Sequence, residues 1–276
     1  MPDELPALDG APAGTRIAFR GVTCRFVGKE GVVHALGPID LDIADGEFLC
    51  LIGPSGCGKS TLLRMVSGLS RPSDGSVDLL ASDPRRATAT VFQDYSIYPW
   101  KSVLANARFG LDLAGVSRSE GEARAMAYLE RLGLADRAHA RVGDLSGGMK
   151  QRVAIARALA VEPDILLMDE PFSAIDAQMR SVLQDELLRL WQSDRRTVVF
   201  VTHSIEEAIL LGDRIVMLSA RPGRIVLDRR VPIERPRVAA DIRSSAAFIE
   251  LHDELTDALK TEVLDNLAAV TGVVDR

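Results

Sequence analysis

The sequence predicts an α/β fold in which helices cover a largely parallel sheet. Three observations carry this prediction: short apolar runs alternate with stretches of helical spacing, a glycine-rich loop joins one such run to a helix, and acidic residues end another. Apolar runs without polar alternation are typical of parallel strands that are buried on both faces. The chain has 276 residues, of which 47% are hydrophobic, so it can bury one large core or form two lobes.

The elements follow one another along the chain in three stretches. Short strand-like runs separated by turns fill residues 17–50, and LIGPSGCGKSTLL (51–63) passes from a strand through a glycine-rich loop into a helix. Residues 100–142 have helical spacing, which predicts a separate helical lobe. From residue 165 the runs ILLMDE, TVVFVTH and RIVMLSA alternate with helical stretches, and the segment after Pro236 is helical in pattern.

Charge and cysteine content disfavour several classes of protein. The formal net charge is −6, so the bulk charge gives no reason to expect nucleic acid binding. The three cysteines form no CxxC pair, so a zinc site is not expected. They are also too few for a disulfide framework, which favours a reducing compartment. Residues 1–16 lack the basic start and apolar run of a signal peptide and are interpreted as a disordered leader. No apolar run approaches the roughly 18 residues of a membrane span.

A phosphate-binding loop is predicted at the start of the first helix. The residues GPSGCGKS match the pattern G-x-x-x-x-G-K-[ST] without a gap, whereas the alternative is an ordinary glycine turn between a strand and a helix. Glycines let backbone N–H groups turn toward phosphate oxygens, and the helix N-terminus adds a positive dipole. The lysine would reach the β- and γ-phosphates, and the serine after it would ligate Mg²⁺. The candidate nucleotide ligands are Gly53, Pro54, Ser55, Gly56, Cys57, Gly58, Lys59, Ser60 and Thr61.

Two acidic residues end the predicted strand ILLMDE. Ligands of parallel sheets bind at the carboxyl ends of the strands, which is where Asp169 and Glu170 fall. Asp169 is expected to hold Mg²⁺ together with Ser60, and Glu170 is expected to orient or deprotonate an attacking water. Taken alone, an acidic strand end facing solvent would be the better interpretation; the phosphate loop in the same chain favours the functional one.

The segment LSGGMKQR (145–152) predicts a second helix start suited to phosphate. Ser146 is expected to cap a helix that begins with Gly147 and Gly148 and includes Gln151, so that free N–H groups point outward. One triphosphate cannot occupy two separate helix ends of one subunit, so the second end is expected to contact ATP bound by a neighbouring copy. The alternative, an ordinary capped helix, would be favoured if this motif stood alone.

Together GPSGCGKS, LSGGMKQ and ILLMDE resemble the ATP-binding cassette (ABC) ATPases, in the family's order and over about residues 17–235. The resemblance implies roles for four further residues. Gln93 of VFQDY resembles the glutamine that senses Mg²⁺ and the γ-phosphate, and Asp176 of SAID resembles a residue of the loop that crosses the dimer interface. His203 of VTHS resembles the histidine that contacts the γ-phosphate. Phe26 lies where the family places an aromatic ring under adenine; the alternative is a core phenylalanine, with Phe19 nearby.

The resemblance also implies a fold and a division of the chain. It implies a P-loop NTPase cassette with a RecA-like core, an N-terminal antiparallel β subdomain and an inserted α-helical subdomain at about residues 97–145. The ABC ATPase domain would span residues 17–235, after the leader and before a C-terminal helical extension at residues 236–276.

The mechanism that the resemblance implies is ATP hydrolysis by a homodimer that requires Mg²⁺. Two copies would enclose two ATP molecules, each between the phosphate loop of one copy and LSGGMKQ of the other. Closure of the dimer would move the helical lobe and whatever protein is docked on it.

Three uses of this motion compete. The chain could energise a separate membrane channel, drive a mechanical signal through a membrane partner as in cell-division cassettes, or act on nucleic acid or ribosomes. The last is disfavoured, because the sequence has no long coiled coil, no zinc-type cysteines and only one cassette.

An importer is the favoured use. The tripeptide YPW (98–100) and the segment LSARPGRIV (218–226) resemble the nitrate/sulfonate/taurine importer branch. The sequence offers no physical reason for the spacing within LSARPGRIV. The branch implies a membrane permease, an extracytoplasmic solute-binding protein and a location on the cytoplasmic face of the membrane. An apolar and aromatic patch, which could instead be buried in the helical lobe, is the candidate permease contact: Tyr95, Ile97, Tyr98, Pro99 and Trp100. No residue identifies the transported solute.

Overall fold

The computed structural model describes residues 8, 10–28, 31–173, 175–237 and 239–271. The chain divides into two compact units. The terminal unit comprises Met1–Leu80 and Val199–Arg276, and the middle unit comprises Ala81–Val198. This division is not the predicted one, in which a helical subdomain at about 97–145 is inserted into a single domain; the predicted boundaries stay a prediction.

A three-stranded antiparallel sheet forms the first layer of the terminal unit. Its strands are β1 (Thr15–Gly28), β2 (Gly31–Ala44) and β4 (Asp74–Leu79). Their order is β2–β1–β4, and register shifts interrupt the pairing of β1 with β2 at several points. The first half of β1 is almost entirely buried, whereas its end is exposed. The strand includes the last two residues of the predicted leader, Thr15 and Arg16, whereas residues 1–7 and 9 of that leader lie outside the described residues.

A second sheet of the terminal unit carries the glycine loop. Its strands are β3 (Phe48–Ile52), β7 (Thr197–Val201, of which residues 199–201 belong to this unit), β8 (Arg214–Leu218) and β9 (Ile225–Arg230). Strand β3 lies between β7 and β8, pairs in parallel with β8, and every residue of β3 is buried. Strand β9 pairs antiparallel with β8 at the edge. The rings of Phe48 and Phe200 pack with their centroids 5.8 Å apart in this core.

Among its described residues, the terminal unit has four α-helices. The longest follows the strands and buries Phe248, Leu251 and Leu255, which lie at helical spacing. A helical segment was predicted here from the pattern after Pro236. The helices are α1 (Lys59–Val66), α7 (Ile205–Leu211), α8 (Ala239–Ile242) and α9 (Ala246–Thr271).

The middle unit, in the part of it that the structure describes, combines a parallel strand pair with five α-helices. Strand β5 (Thr88–Val91) pairs in parallel with β6 (Ile165–Asp169), as expected for the buried run ILLMDE. Short 3-10 helices occupy Pro84–Arg86, Ala135–Arg137 and Val142–Asp144. The α-helices are α2 (Val103–Ala107), α3 (Phe109–Leu113), α4 (Arg118–Arg131), α5 (Gly147–Ala160) and α6 (Ala177–Asp194).

Among the residues that the structure describes, no helix combines the length and the apolar composition needed to cross a bilayer.

Candidate functional site

The glycine loop between β3 and α1 has a backbone that only glycine can adopt at two of its corners. Gly53 has φ 143°, and a Cβ there would lie 2.5 Å from the carbonyl oxygen of Leu218. Gly58, which precedes α1, has φ 102°, and a Cβ there would lie 2.4 Å from Cδ2 of Leu36. Both positions combine a left-handed conformation with a close neighbour, so the loop path depends on the two glycines.

The Lys59 ammonium lies within the curve of this loop. Its Nζ donates to the carbonyl oxygens of Gly53 at 2.7 Å and Pro54 at 3.0 Å, and the residue is 7% exposed. A buried cation beside the N-terminus of α1 makes this corner attractive to an anion. The loop that was predicted to bind phosphate therefore encloses a cation, which is chemistry suited to that ligand.

The donor set fits a magnesium nucleotide. Backbone N–H groups and an ammonium are donors for phosphate oxygens, whereas Mg²⁺ prefers hydroxyl and carboxylate oxygens. Within the terminal unit, Ser60 supplies a hydroxyl at the second residue of α1, next to Lys59. Bound Mg²⁺ would neutralise charge that develops on the transferred phosphate.

His203 is exposed in a turn that a hydrogen-bond network fixes. The residue lies between β7 and α7. Thr202 Oγ1 donates to Glu207 Oε2 and accepts from the N–H of Ser204 at 3.0 Å, while Ser204 Oγ accepts from the N–H of Glu207 at 3.2 Å. Thr202 and Glu207 are buried, so the turn holds the imidazole at the surface on a rigid base.

In the middle unit the structure brings together Gln93 and Glu170. Gln93 Nε2 donates to Glu170 Oε2 at 3.2 Å, and Asp169 precedes Glu170 at the end of β6. Glu170 has φ 46°, a left-handed conformation that costs free energy in a residue with a Cβ. The backbone N–H and the hydroxyl of Ser173 both donate to the Glu170 carbonyl, which stabilises this turn.

The helix cap predicted for Ser146 is confirmed. Its Oγ accepts a hydrogen bond from the N–H of Met149 at the start of α5. A Cβ at Gly147 would lie 2.9 Å from the hydroxyl of Tyr95, whereas a Cβ at Gly148 would meet no atom within 4 Å. The glycine turn thus leaves one open face at the helix N-terminus.

Gln151 and Asp176, which were also predicted to contact nucleotide, differ in their exposure and hydrogen bonds within the middle unit. Gln151 is 2% exposed, and neither of its side-chain polar atoms has a hydrogen-bond partner among the described residues. A direct contact with nucleotide therefore requires this side chain to move to the surface. Asp176 is exposed and caps α6, with Oδ1 accepting from the N–H of Met179 at 3.0 Å.

Phe26 is a surface residue of β1. It is 51% exposed and pairs with Val33 of β2, whereas Phe19 is 2% exposed. The alternative that Phe26 is a core phenylalanine is therefore wrong, and its ring is accessible to a planar ligand.

The candidate docking patch from Tyr95 to Trp100 is partly buried and partly exposed. Trp100 is 77% exposed, and its ring lies 5.5 Å from that of Tyr98, which packs at 4.5 Å against Phe109. The side-chain amide of the buried Asn106 donates to the carbonyl of Tyr98 and accepts from its N–H. In this patch, Tyr98 is therefore held in place by its neighbours, and the Trp100 ring is exposed on top of it.

Arg157 of α5 joins the docking patch to the helix that Ser146 caps. Its Nη1 donates to the carbonyl of Ser96 at 2.6 Å and its Nη2 to that of Tyr95 at 3.3 Å. Burial lowers the pKa of this guanidinium. Apart from proximity to the predicted motifs, no sequence signal identifies Arg157, Thr202 or Glu207 as functional residues.

Comparison with known protein families and proteins was consistent with these features. A family described as ABC transporter matches residues 36–173. An uncharacterized ABC transporter ATP-binding protein of Methanocaldococcus jannaschii is 48% identical over 255 residues, which cover 91% of this chain and 94% of the relative. A taurine import ATP-binding protein of Rhizobium johnstonii is 45% identical (88% of this chain, 96% of the relative), and a nitrate import ATP-binding protein of Synechocystis is 40% identical (89% and 95%).

A solved structure gives the same result for the fold. A dimeric ATP-binding cassette in a post-hydrolysis state, bound to ADP and Pi, has a TM-score of 0.71 and 32% sequence identity. The match covers 79% of this chain and all of the other.

Proposed function

The chain belongs to the ABC transporter family, and we propose that it is the ATP-hydrolysing subunit of an importer for a small anion or organic solute. The observation that carries the proposal is the phosphate loop around Lys59 in a chain whose relatives over most of their length include taurine and nitrate import ATP-binding proteins. The cell-division type of cassette is the less favoured alternative.

The hydrolytic roles follow the chemistry of each side chain. Lys59 and the N–H groups of the loop bind the phosphates of ATP, and the ring of Phe26 stacks on adenine. Glu170 activates water, with Gln93 holding its carboxylate, and His203 contacts the γ-phosphate. Ser60, Gln93 and Asp169 are the proposed oxygen ligands of Mg²⁺.

A second copy of the chain completes the proposed enzyme. Ser146, Gly147 and Gly148 form an open helix N-terminus that is suited to a γ-phosphate held by the partner's loop. Gln151 and Asp176 are the proposed contacts around it. The dimeric state of the solved cassette supports this arrangement.

The patch from Tyr95 to Trp100 is the proposed permease contact. An exposed tryptophan that packs on a half-buried tyrosine, as Trp100 does on Tyr98, is a candidate interface hot spot. Arg157 gives this patch a direct connection to α5, through which movement of the permease would reach the Ser146 end. The protein would then work at the cytoplasmic face of the membrane, in a complex that also includes an extracytoplasmic solute-binding protein.

The proposal is tested by capturing the assembled complex. Tagged Glu170→Gln protein is purified from native membranes with Mg-ATP, with a parallel capture lacking nucleotide, and the bound proteins are identified by mass spectrometry. Recovery of a multi-span permease and a solute-binding protein supports the importer, and titration of that binding protein with nitrate, sulfonates and taurine gives the solute. A membrane protein without a solute receptor, or ribosomal or DNA-associated proteins, would overturn the importer and leave the ATPase assignment intact.

A further inference from the structure

The turn from Ser219 to Arg224, within the segment LSARPGRIV, contacts the outer face of the phosphate loop. Arg221 Nε donates to the carbonyl oxygen of Gly56 at 2.9 Å. The guanidinium also covers the Cα of Gly56, since a Cβ there would lie 3.0 Å from Arg221 Nη2. An arginine 165 residues away thus fixes the orientation of a carbonyl in the middle of the loop.

The next peptide of the loop rests on the same turn. A Cβ at Gly223 would lie 2.0 Å from the carbonyl oxygen of Cys57, so only glycine allows the two backbones to approach this closely. Gly223 is also tied to β2, because its N–H donates to Ala35 and its carbonyl accepts from Gly37. The turn therefore lies between the phosphate loop and a strand of the first sheet.

The turn is internally rigid and is connected to α9. The N–H of Ser219 donates to the carbonyl of Arg224 at 2.8 Å, and the N–H of Arg224 donates back to Ser219 Oγ at 3.0 Å. On the other side, the N–H of Ala220 donates to Glu262 Oε2 at 3.2 Å. Glu262 of α9 is thus connected to the phosphate loop through this turn, by its bond to Ala220 and the bond from Arg221 to Gly56.

We propose that Arg221 is a positioning residue for the phosphate loop, and that the turn transmits the position of α9 to ATP binding. The inference rests on the proposed ATPase function. In a trans peptide the C=O and the following N–H point in opposite directions, so a donor that fixes the Gly56 carbonyl also fixes the N–H of Cys57. Holding two consecutive peptides from outside lowers the conformational entropy that the loop loses when it closes on phosphates.

Steady-state ATPase kinetics and equilibrium binding of Mg-ATP to the full-length protein test the role of Arg221. Arg221→Ala should raise KM and Kd about five- to tenfold, because a charge-assisted hydrogen bond is lost, and should change kcat less than twofold. Arg224→Ala removes the same charge from the same turn but not the Gly56 bond, and should leave KM and Kd within twofold. Arg221→Lys should restore part of the affinity, since an ammonium can still donate to the carbonyl.

Two results would overturn the assignment of Arg221: equal effects of the Arg221 and Arg224 variants, or a loss of kcat at unchanged KM. Absence of ATPase activity in the unmodified protein would instead refute the proposed function. The three outcomes are therefore distinguishable.

The connection to α9 has its own test. Glu262→Ala should raise the Kd for Mg-ATP about two- to fivefold, since it removes the acceptor for the Ala220 N–H. Glu250→Ala, at an exposed position of the same helix, should not change it. If the effect travels through the turn, Arg221→Ala and Glu262→Ala combined should weaken binding less than the product of the single effects. Full additivity would contradict a shared path.

Discussion

Gln93 donates its side-chain amide to Glu170, with 3.2 Å between Nε2 and Oε2. A carboxylate that is held by an amide has one preferred orientation, and general bases depend on such orientation. The two residues lie 77 positions apart in the sequence, and the pairing of β5 with β6 places the ends of their strands side by side. The sheet thus builds a fixed carboxylate from two separate segments.

The first prediction concerns this carboxylate. Glu170→Gln should lower kcat for ATP hydrolysis by about 10²- to 10⁴-fold, because the amide cannot accept a proton from water. The Kd for Mg-ATP should stay within a few-fold, and the protein should accumulate as an ATP-bound dimer in size-exclusion chromatography. Glu130→Gln, at an exposed position of α4, is the matched control and should behave like the unmodified protein. Hydrolysis by Glu170→Gln at the parental rate would remove Glu170 from the role of base.

The left-handed backbone of Glu170 leads to a prediction about stability. At φ 46° a Cβ is unfavourable, so Glu170→Gly should be about 1 kcal/mol more stable than Glu170→Ala in urea unfolding. In the middle of α6 the order should reverse, with Glu186→Gly about 1 kcal/mol less stable than Glu186→Ala. Both Glu170 variants should be inactive. The same order at both positions would show that Glu170 is not strained.

The local parts of the site could be predicted from the sequence. The phosphate loop and the Ser146 cap each depend on residues within one loop and one helix start, and a helix cap is a short-range hydrogen bond. For the same reason the acidic end of β6 could be predicted from an apolar run followed by two carboxylates.

The remaining parts depend on contacts that no local pattern encodes. Register shifts in β1 break the alternation between Phe19 and Phe26, so their exposure could not be counted from residue spacing. Helix α5 is buried around most of its circumference, so its pattern gave no sign that Gln151 is inside. The bond from Arg221 to Gly56 joins segments that are distant in sequence. No local pattern in LSARPGRIV therefore predicts the contact of this segment with the phosphate loop.

A third prediction tests the backbone of the phosphate loop. Gly53→Ala combines a φ of 143° with a backbone oxygen 2.5 Å from the new Cβ, and should cost about 2 kcal/mol of stability together with most ATP binding. Gly68→Ala also has a positive φ, 73°, but its Cβ would meet no atom within 4 Å, so it should cost less and leave binding intact. Thermal unfolding and nucleotide titration separate the two. Equal losses in both variants would contradict the role of the close contact.

A fourth prediction concerns the base beneath His203. Glu207→Ala removes the acceptor of the Thr202 hydroxyl, so the turn should loosen and kcat should fall about tenfold with little change in KM. Glu206→Ala breaks the surface pair with Arg243 instead and should leave kcat unchanged. Circular dichroism and thermal unfolding of both variants measure any general loss of structure. A loss of kcat that only parallels the loss of folded protein in the unfolding measurements would argue against positioning.

The last prediction separates docking from hydrolysis. Trp100 is 77% exposed and rests on Tyr98, so Trp100→Ala should remove an interface anchor worth about 2 kcal/mol of binding, roughly a thirtyfold weaker association with the permease. The ATPase activity of the isolated protein should remain within twofold, because no contact of the phosphate loop or Glu170 changes. Leu69→Ala removes a 65% exposed apolar side chain from the terminal unit and should affect neither measurement.

Pull-down of the permease in detergent, alongside ATPase assays of the free protein, gives both readouts. If Trp100→Ala retains the permease as well as Leu69→Ala does, the docking surface lies elsewhere; if it loses hydrolysis as the isolated protein, Trp100 supports the fold and does not serve as an anchor.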